Sequence, residues 1–326
     1  MNAPTLTLVA LALSAAISAL ALALGMTTDR VSGDPKLRDR LWAVLLLSPL
    51  LPLLLVGLTM LLPPPVQIIE VQIASEAVAP VTTGPGTAAR AGGTIPLDMD
   101  LIAWVAVGMA ALGTAIRTVG LIIRAVRLRR LLAKAYQPSQ ALERLVILNA
   151  RNLGVPAPAI LISDAVADPL LVGPRARLVL PAAFESSQAE PETAAVVAHE
   201  LAHLKRGDHR ALWLEEGLMV VVAFNPLMSL LRRRRDAARE EACDALALAG
   251  AAPEIRRAYA HRLIEALRNR AGPQPLALTF TGAGRTIAMK RLNAILSPAE
   301  PAGRRTRLAV TAAGLGLAAA VGAGSW

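Results

Sequence analysis

At 326 residues, 54% of them hydrophobic and with a mean hydropathy of +0.49, the chain is too apolar for an ordinary soluble domain. Its net charge of +10 does not point to direct nucleic-acid binding: aromatics make up 3%, too few for base stacking, and the arginines gather at the ends of apolar runs, as membrane orientation requires. The single cysteine, Cys243, excludes an intrachain disulfide and fits a reducing, cytoplasmic setting for the segment that carries it.

Four segments, roughly 4–25, 41–63, 101–123 and 308–325, are long and apolar enough to span about 30 Å of hydrocarbon, which takes about 20 residues. The first lacks a basic n-region and is long for the apolar stretch of a signal peptide. Basic residues set the orientation. Arg30, Lys36, Arg38 and Arg40 lie between the first two spans, and Arg124, Arg127, Arg129, Arg130 and Lys134 follow the third. Arg304, Arg305 and Arg307 precede the last, whereas the Pro- and Gly-rich stretch 64–100 carries only Arg90. The positive-inside rule then predicts a multi-pass protein of the inner (plasma) membrane, in contact with membrane lipid. Its N-terminus lies outside, with an external loop at about 64–100 and a cytoplasmic domain over about 127–307. The predicted fold is mainly α: a polytopic membrane domain over 1–126, an α+β cytoplasmic domain, and a fourth transmembrane helix over 308–326. The small residues Ala313, Gly314, Gly316, Ala318, Ala319 and Gly322 permit close helix packing there and a homodimer.

Within the cytoplasmic domain, residues 137–152 have helical apolar spacing and run into Gly154, a stop signal. AILIS (159–163) reads as a strand, and LLV (170–172) and RLVLP (177–181) flank a Gly-Pro turn as a hairpin. Pro191 then opens a helix that is apolar on most sides and contains HELAH (199–203). The stretch 211–231 is apolar enough to span, yet it contains Glu215, Glu216 and Pro226 and is basic on both flanks. It is predicted to be an interfacial or re-entrant helical hairpin, broken near Asn225-Pro226, that holds the site against the bilayer. Further helices are expected at about 234–249, 253–270 and 286–296.

HELAH carries the chemistry. Positions i and i+4 share a helix face, so His199 and His203 offer two imidazoles to one metal ion, and Glu200 beside them can act as a base on a water. A catalytic zinc needs two such nitrogens, a third protein ligand and an open position. A helix buried all round is a costly place for these groups without a ligand. Two residues compete as third ligand. His209 has the spacing of the HExxHxxGxxH pattern, but Arg206 stands where that pattern needs its glycine and Gly207 comes one place late. Glu240, in EEACD, begins an E-x-x-x-D on a later helix, and Asp244 on the same face is placed to accept an N–H from a ligating histidine. Asp208 is a second candidate for that supporting role. The competing reading makes Glu240, Glu241 and Asp244 a solvated acidic face that pairs with Arg232–Arg235. Cys243, beside alanines, reads as an inert small residue.

These motifs occur in a fixed order: three leading spans, PLLVGPRARLVLP (169–181), HELAHLKRGD (199–208), FNP (224–226), EEACD (240–244) and AYAHRLIEAL (258–267). In that order the chain resembles the BlaR/MecR-type membrane zinc metallopeptidases, the antibiotic-sensor family, over most of its length. HtpX-type and CAAX prenyl proteases are neighbours with the same HExxH…ExxxD logic. The resemblance implies a gluzincin-like site with one zinc per chain, held by His199, His203 and Glu240, and with Glu200 as the catalytic base. It also implies that Leu170, Leu171 and Val172 offer an edge strand to an extended protein substrate, in the family a cytoplasmic repressor or the protease itself. His209, Tyr259 and His261 are the candidates to stabilise the transition state, with no sequence feature choosing among them. The antibiotic sensors carry a penicillin-binding domain after the fourth span. No residue up to Trp326 is expected to sense a β-lactam. A signalling scaffold with a structural zinc would need His209 or Cys243 as a fourth ligand, and it would leave Glu200 without a role.

Overall fold

The computed structural model describes residues 3–61, 99–187, 190–270, 282–297 and Ala312. The chain is mainly helical, with a three-stranded sheet. Three helical stretches, Thr5–Val31, Pro35–Thr59 and Met99–Ala133, are long and apolar enough to cross a membrane. Apart from Ala312, the predicted span 308–325 lies outside the described residues, as does nearly all of the predicted external loop 64–100.

Helix α1 covers Ala3–Val31 and continues past the predicted end at 25 as far as the first basic residue, Arg30. The second stretch starts earlier than expected. Asp34 caps α2 (Pro35–Leu47), its Oδ1 accepting from the Lys36 and Leu37 backbone N–H groups at 3.0 and 3.4 Å. At Ser48–Leu50 the chain tightens into a 3-10 turn before α3 (Leu51–Leu61). Pro49 and Pro52 each lack the N–H that an uninterrupted helix needs, so a single straight span over 41–63 is replaced by a bent one. Helix α4 (Met99–Ala133) has 35 residues, about 52 Å at 1.5 Å per residue, so it outruns a hydrocarbon layer and carries the basic run Arg124–Arg130 on its final turns.

α1 and α2 meet at Gly25. A Cβ there would overlap the Trp42 indole, whose Nε1 donates to Asp29 Oδ1 at 3.1 Å. Trp42 is 1% exposed. Gly25→Ala is therefore expected to cost about 1–3 kcal/mol through overpacking. A thermal melt of the detergent-solubilised protein measures this, and an unchanged midpoint would contradict the packing.

Beyond α4 the chain continues with α5 (Gln140–Leu153), capped by Ser139 and stopped by the left-handed Gly154. Its buried stripe Leu142, Val146 and Ala150 packs with Ile162, Leu178 and Leu180 of the sheet and with Val197 and Leu201 of α6 (Pro191–Arg206). The strands are β1 (Ala159–Ser163), β2 (Leu170–Val172) and β3 (Arg177–Pro181), in the order β1-β3-β2. β2 and β3 form the expected antiparallel hairpin, with Leu171 opposite Leu178. The sequence did not reveal that β1 pairs parallel with β3. Tyr136 exchanges backbone hydrogen bonds with Ile162 on the outer side of β1, at 3.0 and 2.8 Å. Among the described residues, β2 has no strand partner on its outer side.

α7 (Asp208–Val221) and α8 (Leu227–Ala247) are joined by a turn that contains Asn225-Pro226. α8 is one helix of 21 residues, whereas the sequence reading began a separate helix near 234. The abrupt change from apolar residues to four arginines altered composition without breaking backbone hydrogen bonding. Asn225 Nδ2 donates to Ser18 Oγ at 2.9 Å and to the Ser14 carbonyl at 3.3 Å, both in the middle of α1. Along α4, Thr114 Oγ1 donates to the Val220 carbonyl at 3.2 Å, and Arg124 pairs with Glu216 at 3.1 Å. Thr114 precedes Arg124 by ten residues, so the hairpin tip sits about 15 Å farther along α4 from its basic end than Glu216 does. Trp213, Leu214 and Val221 are exposed on α7, and Trp42, Leu45 and Leu46 of α2 pack on its other face against Leu218, Met219 and Val222. α9 (Pro253–Arg270) and α10 (Gly282–Leu296) follow, with Tyr259, Ala260, Leu292 and Ile295 in their shared core.

Candidate metal centre

α6 and α8 build the site between them. Pro191 in the first turn of α6 needs no N–H partner there, and Gly207, at φ 74°, ends the helix in the left-handed conformation that glycine adopts without strain. Between them His199 and His203 stand one turn apart, their rings 4.9 Å apart and nearly edge-on. Glu240 of α8 faces both. His199 Nε2 lies 3.5 Å from Glu240 Oε2, and His203 Nε2 lies 3.5 Å from Glu240 Oε1. One donor atom from each of the three residues falls within 4.8 Å of the other two.

The other nitrogen of each ring is engaged by a carboxylate. His199 Nδ1 is 2.9 Å from Asp244 Oδ1, and His203 Nδ1 is 2.8 Å from Asp208 Oδ2. Asp208 also accepts from Arg206 Nε at 3.0 Å. Both imidazoles thus have Nδ1 tied to an anion and Nε2 directed at the shared carboxylate. Such a donor set, with two neutral nitrogens and one oxygen, fits zinc. Glu240 keeps 36% of its side chain exposed, so the trio is open to solvent on one side.

Electrostatics follow from this crowding. Burial disfavours charge on Glu240, but contact with His199 and the nearby Arg291 outweighs it and holds the carboxyl at about 2. Asp208 is likewise held at about 2, by His203 and Arg206 against burial. Asp244 lies well below the usual carboxylate range: burial opposes its ionisation, and Arg291 and His199 more than compensate. With no metal bound, burial works against a charged His199, yet Asp244 and Glu240 raise its pKa to about 10, so zinc taken up at this ring would displace a proton. Glu200 moves the other way, its pKa raised chiefly by burial.

The remaining candidates stand apart from the ligand face. His209 lies in the first turn of α7, just after Gly207, and is absent from the ligand trio. It is 6% exposed, and its Nδ1 has no hydrogen-bond partner among the described residues. The Tyr259 hydroxyl donates to Asp244 at 2.8 Å and lies 3.0 Å from His199 Nδ1, behind that ring rather than on its Nε2 side. His261 is exposed and lines a surface groove with Pro253, Arg257 and Ile264. Cys243 Sγ sits 3.2 Å from His203 Nδ1 and donates to Asp208 at 3.4 Å. Burial pushes its thiol pKa far up, which keeps it protonated. The acidic residues of α8 are not a solvated face, because Glu241 and Asp244 are each 3% exposed and Glu241 pairs with Arg38 of α2.

Two features carried no sequence signal. Arg291 of α10 reaches both Glu240 and Asp244. Asp39 of α2 pairs with Arg206 at 2.7 Å and with Arg235, so a helix of the candidate membrane domain contacts the residue that holds Asp208. Each pairing joins residues distant in sequence, and a lone arginine or aspartate has no periodicity to mark it.

Apolar helices of membrane-spanning length, an HExxH helix and a facing ExxxD helix together mark a membrane metallopeptidase. The BlaR1 peptidase M56 family model matches residues 5–295, and the chain belongs to that family. Among curated proteins none matches the chain.

Proposed function

We propose that the chain is a zinc metalloendopeptidase of the inner membrane that cleaves a cytoplasmic or membrane-proximal protein in a signalling response. The substrate in this reading is a transcriptional repressor or the chain itself. The observation that carries the reading is the pairing of two Nε2 atoms with the two oxygens of one glutamate, while carboxylates engage both Nδ1 atoms. His199, His203 and Glu240 hold one zinc per chain; Asp244 and Asp208 fix the two imidazoles. When bound, zinc supplies Lewis acidity to water and to the scissile carbonyl. Glu200 accepts the proton of the attacking water and passes it to the departing amine, and its raised pKa suits both transfers. An extended substrate pairs with the open side of β2, so that Leu170, Leu171 and Val172 give affinity through backbone hydrogen bonds.

In this reading the N-terminus is outside, 1–126 is the membrane domain, 127–307 is the cytoplasmic peptidase and 308–326 is a fourth span. The α7–α8 tip dips into the bilayer beside α1 and α4. That arrangement seats the metal centre at the cytoplasmic surface, close to membrane-proximal substrates. The contacts of Asn225 with Ser14 and Ser18 support it. The test is cleavage of an unfolded protein such as casein, and of the chain itself, by the full chain in lipid vesicles. Chelation is expected to stop cleavage and added zinc to restore it. Cleavage that survives chelation would overturn the zinc reading.

A further inference from the structure

Around the ligand trio, two short chains of charge run in parallel. One goes from His203 to Asp208 to Arg206 and the other from His199 to Asp244 to Arg291. They differ at their last member. Arg206 continues away from the site to Asp39, whereas Arg291 turns back into it. Its Nε and Nη2 donate to Asp244 Oδ2 and Oδ1 at 2.8 and 3.0 Å, and its Nη1 lies 3.1 Å from Glu240 Oε2. The side chain is 14% exposed.

We infer that Arg291 is a positioning residue of the metal centre, holding Glu240 and, through Asp244, His199 in register for zinc. The inference rests on the peptidase reading above. Glu240 is long, one-third exposed and free to rotate about several bonds, and Arg291 anchors one of its oxygens while leaving Oε1 facing His203. Asp244 is 3% exposed, and the guanidinium meets both of its oxygens as a two-pronged donor. A planar fork that serves two carboxylates at fixed spacing is a task that lysine, a single flexible point charge, performs poorly. α10 thereby contributes to a site that otherwise belongs to α6 and α8.

The test uses the full-length protein in detergent. Zinc affinity is measured by competition with a chromophoric chelator, and ligand geometry by the visible absorption of the cobalt-substituted protein. Arg291→Met is expected to weaken zinc binding about 10–100-fold and to alter the cobalt bands, with Arg291→Lys in between. Leu292→Ala, which loosens the packing of α10 without touching the trio, is expected to lower the melting temperature and leave the cobalt spectrum unchanged. Wild-type affinity and spectrum in a folded Arg291→Met protein would overturn the inference. An equal loss in Leu292→Ala would do so as well, since packing alone would then explain it. If Arg291→Met does not fold, Arg291→Lys decides by the same criteria. Failure of the wild type to take up zinc or cobalt overturns the peptidase reading and this inference with it, a result distinct from a failure confined to Arg291.

Discussion

Glu200→Gln is expected to lower peptide cleavage by a factor on the order of 10²–10⁴ while the zinc content stays at that of the wild type. Glutamine keeps the shape of the side chain and removes only its capacity to accept a proton. Glu200 is not part of the His199, His203 and Glu240 trio, so losing its charge leaves that donor set intact. Burial raises the Glu200 pKa in the native protein, while His199 and His203 beside it act in the opposite direction. The carboxyl is therefore a stronger proton acceptor than a free glutamate. Single-turnover cleavage and zinc analysis on the same sample measure the two quantities. Retained cleavage in the glutamine variant would assign the base to another residue.

Asp39→Ala is expected to destabilise the protein by about 3–5 kcal/mol, the cost of leaving buried cations without their anion. Asp39 is 6% exposed and accepts from Arg206 and Arg235, while Glu215 faces Arg235 and Arg239 in the same network. Removing the carboxylate leaves Arg235, itself 5% exposed, with a single acidic neighbour. Arg206 keeps Asp208 but loses the contact that ties it to α2. Chemical or thermal unfolding in detergent measures the loss. A change within about 0.5 kcal/mol would show that the network is not held by Asp39. Because the same carboxylate lies three contacts from His203, through Arg206 and Asp208, a smaller loss of zinc affinity should accompany the loss of stability.

The parts of the fold legible in the sequence are those written in local patterns. Strand β1 falls on AILIS, the β2–β3 hairpin on two apolar runs around Gly173-Pro174, and α6 between Pro191 and Gly207. The contacts at the candidate site were legible for the same reason. Spacing of four residues on a helix sets His199 with His203 and Glu240 with Asp244, so two facing helices suffice to gather them. Hidden from the sequence were the pairings of remote segments. Asp39 and Arg206 are 167 residues apart, Arg291 and Asp244 are 47 apart, and β1 lies parallel to β3. Such pairings depend on how helices pack, which leaves no periodic trace. The continuity of α8 through four arginines was hidden for the opposite reason, since a composition change looked like a boundary. Inside the helix, Arg235 is buried against acids of other elements, while Arg233 and Arg234 are exposed.

X-ray absorption at the zinc edge of the purified wild-type protein and of Glu240→Ala decides whether His199, His203 and Glu240 hold the metal. One zinc per wild-type chain is expected, in a shell of two imidazole nitrogens and carboxylate oxygen near 2.0–2.2 Å with no sulfur, and loss of the metal from Glu240→Ala. No zinc in the wild type, or zinc kept by Glu240→Ala with a sulfur at about 2.3 Å from Cys243, would contradict it.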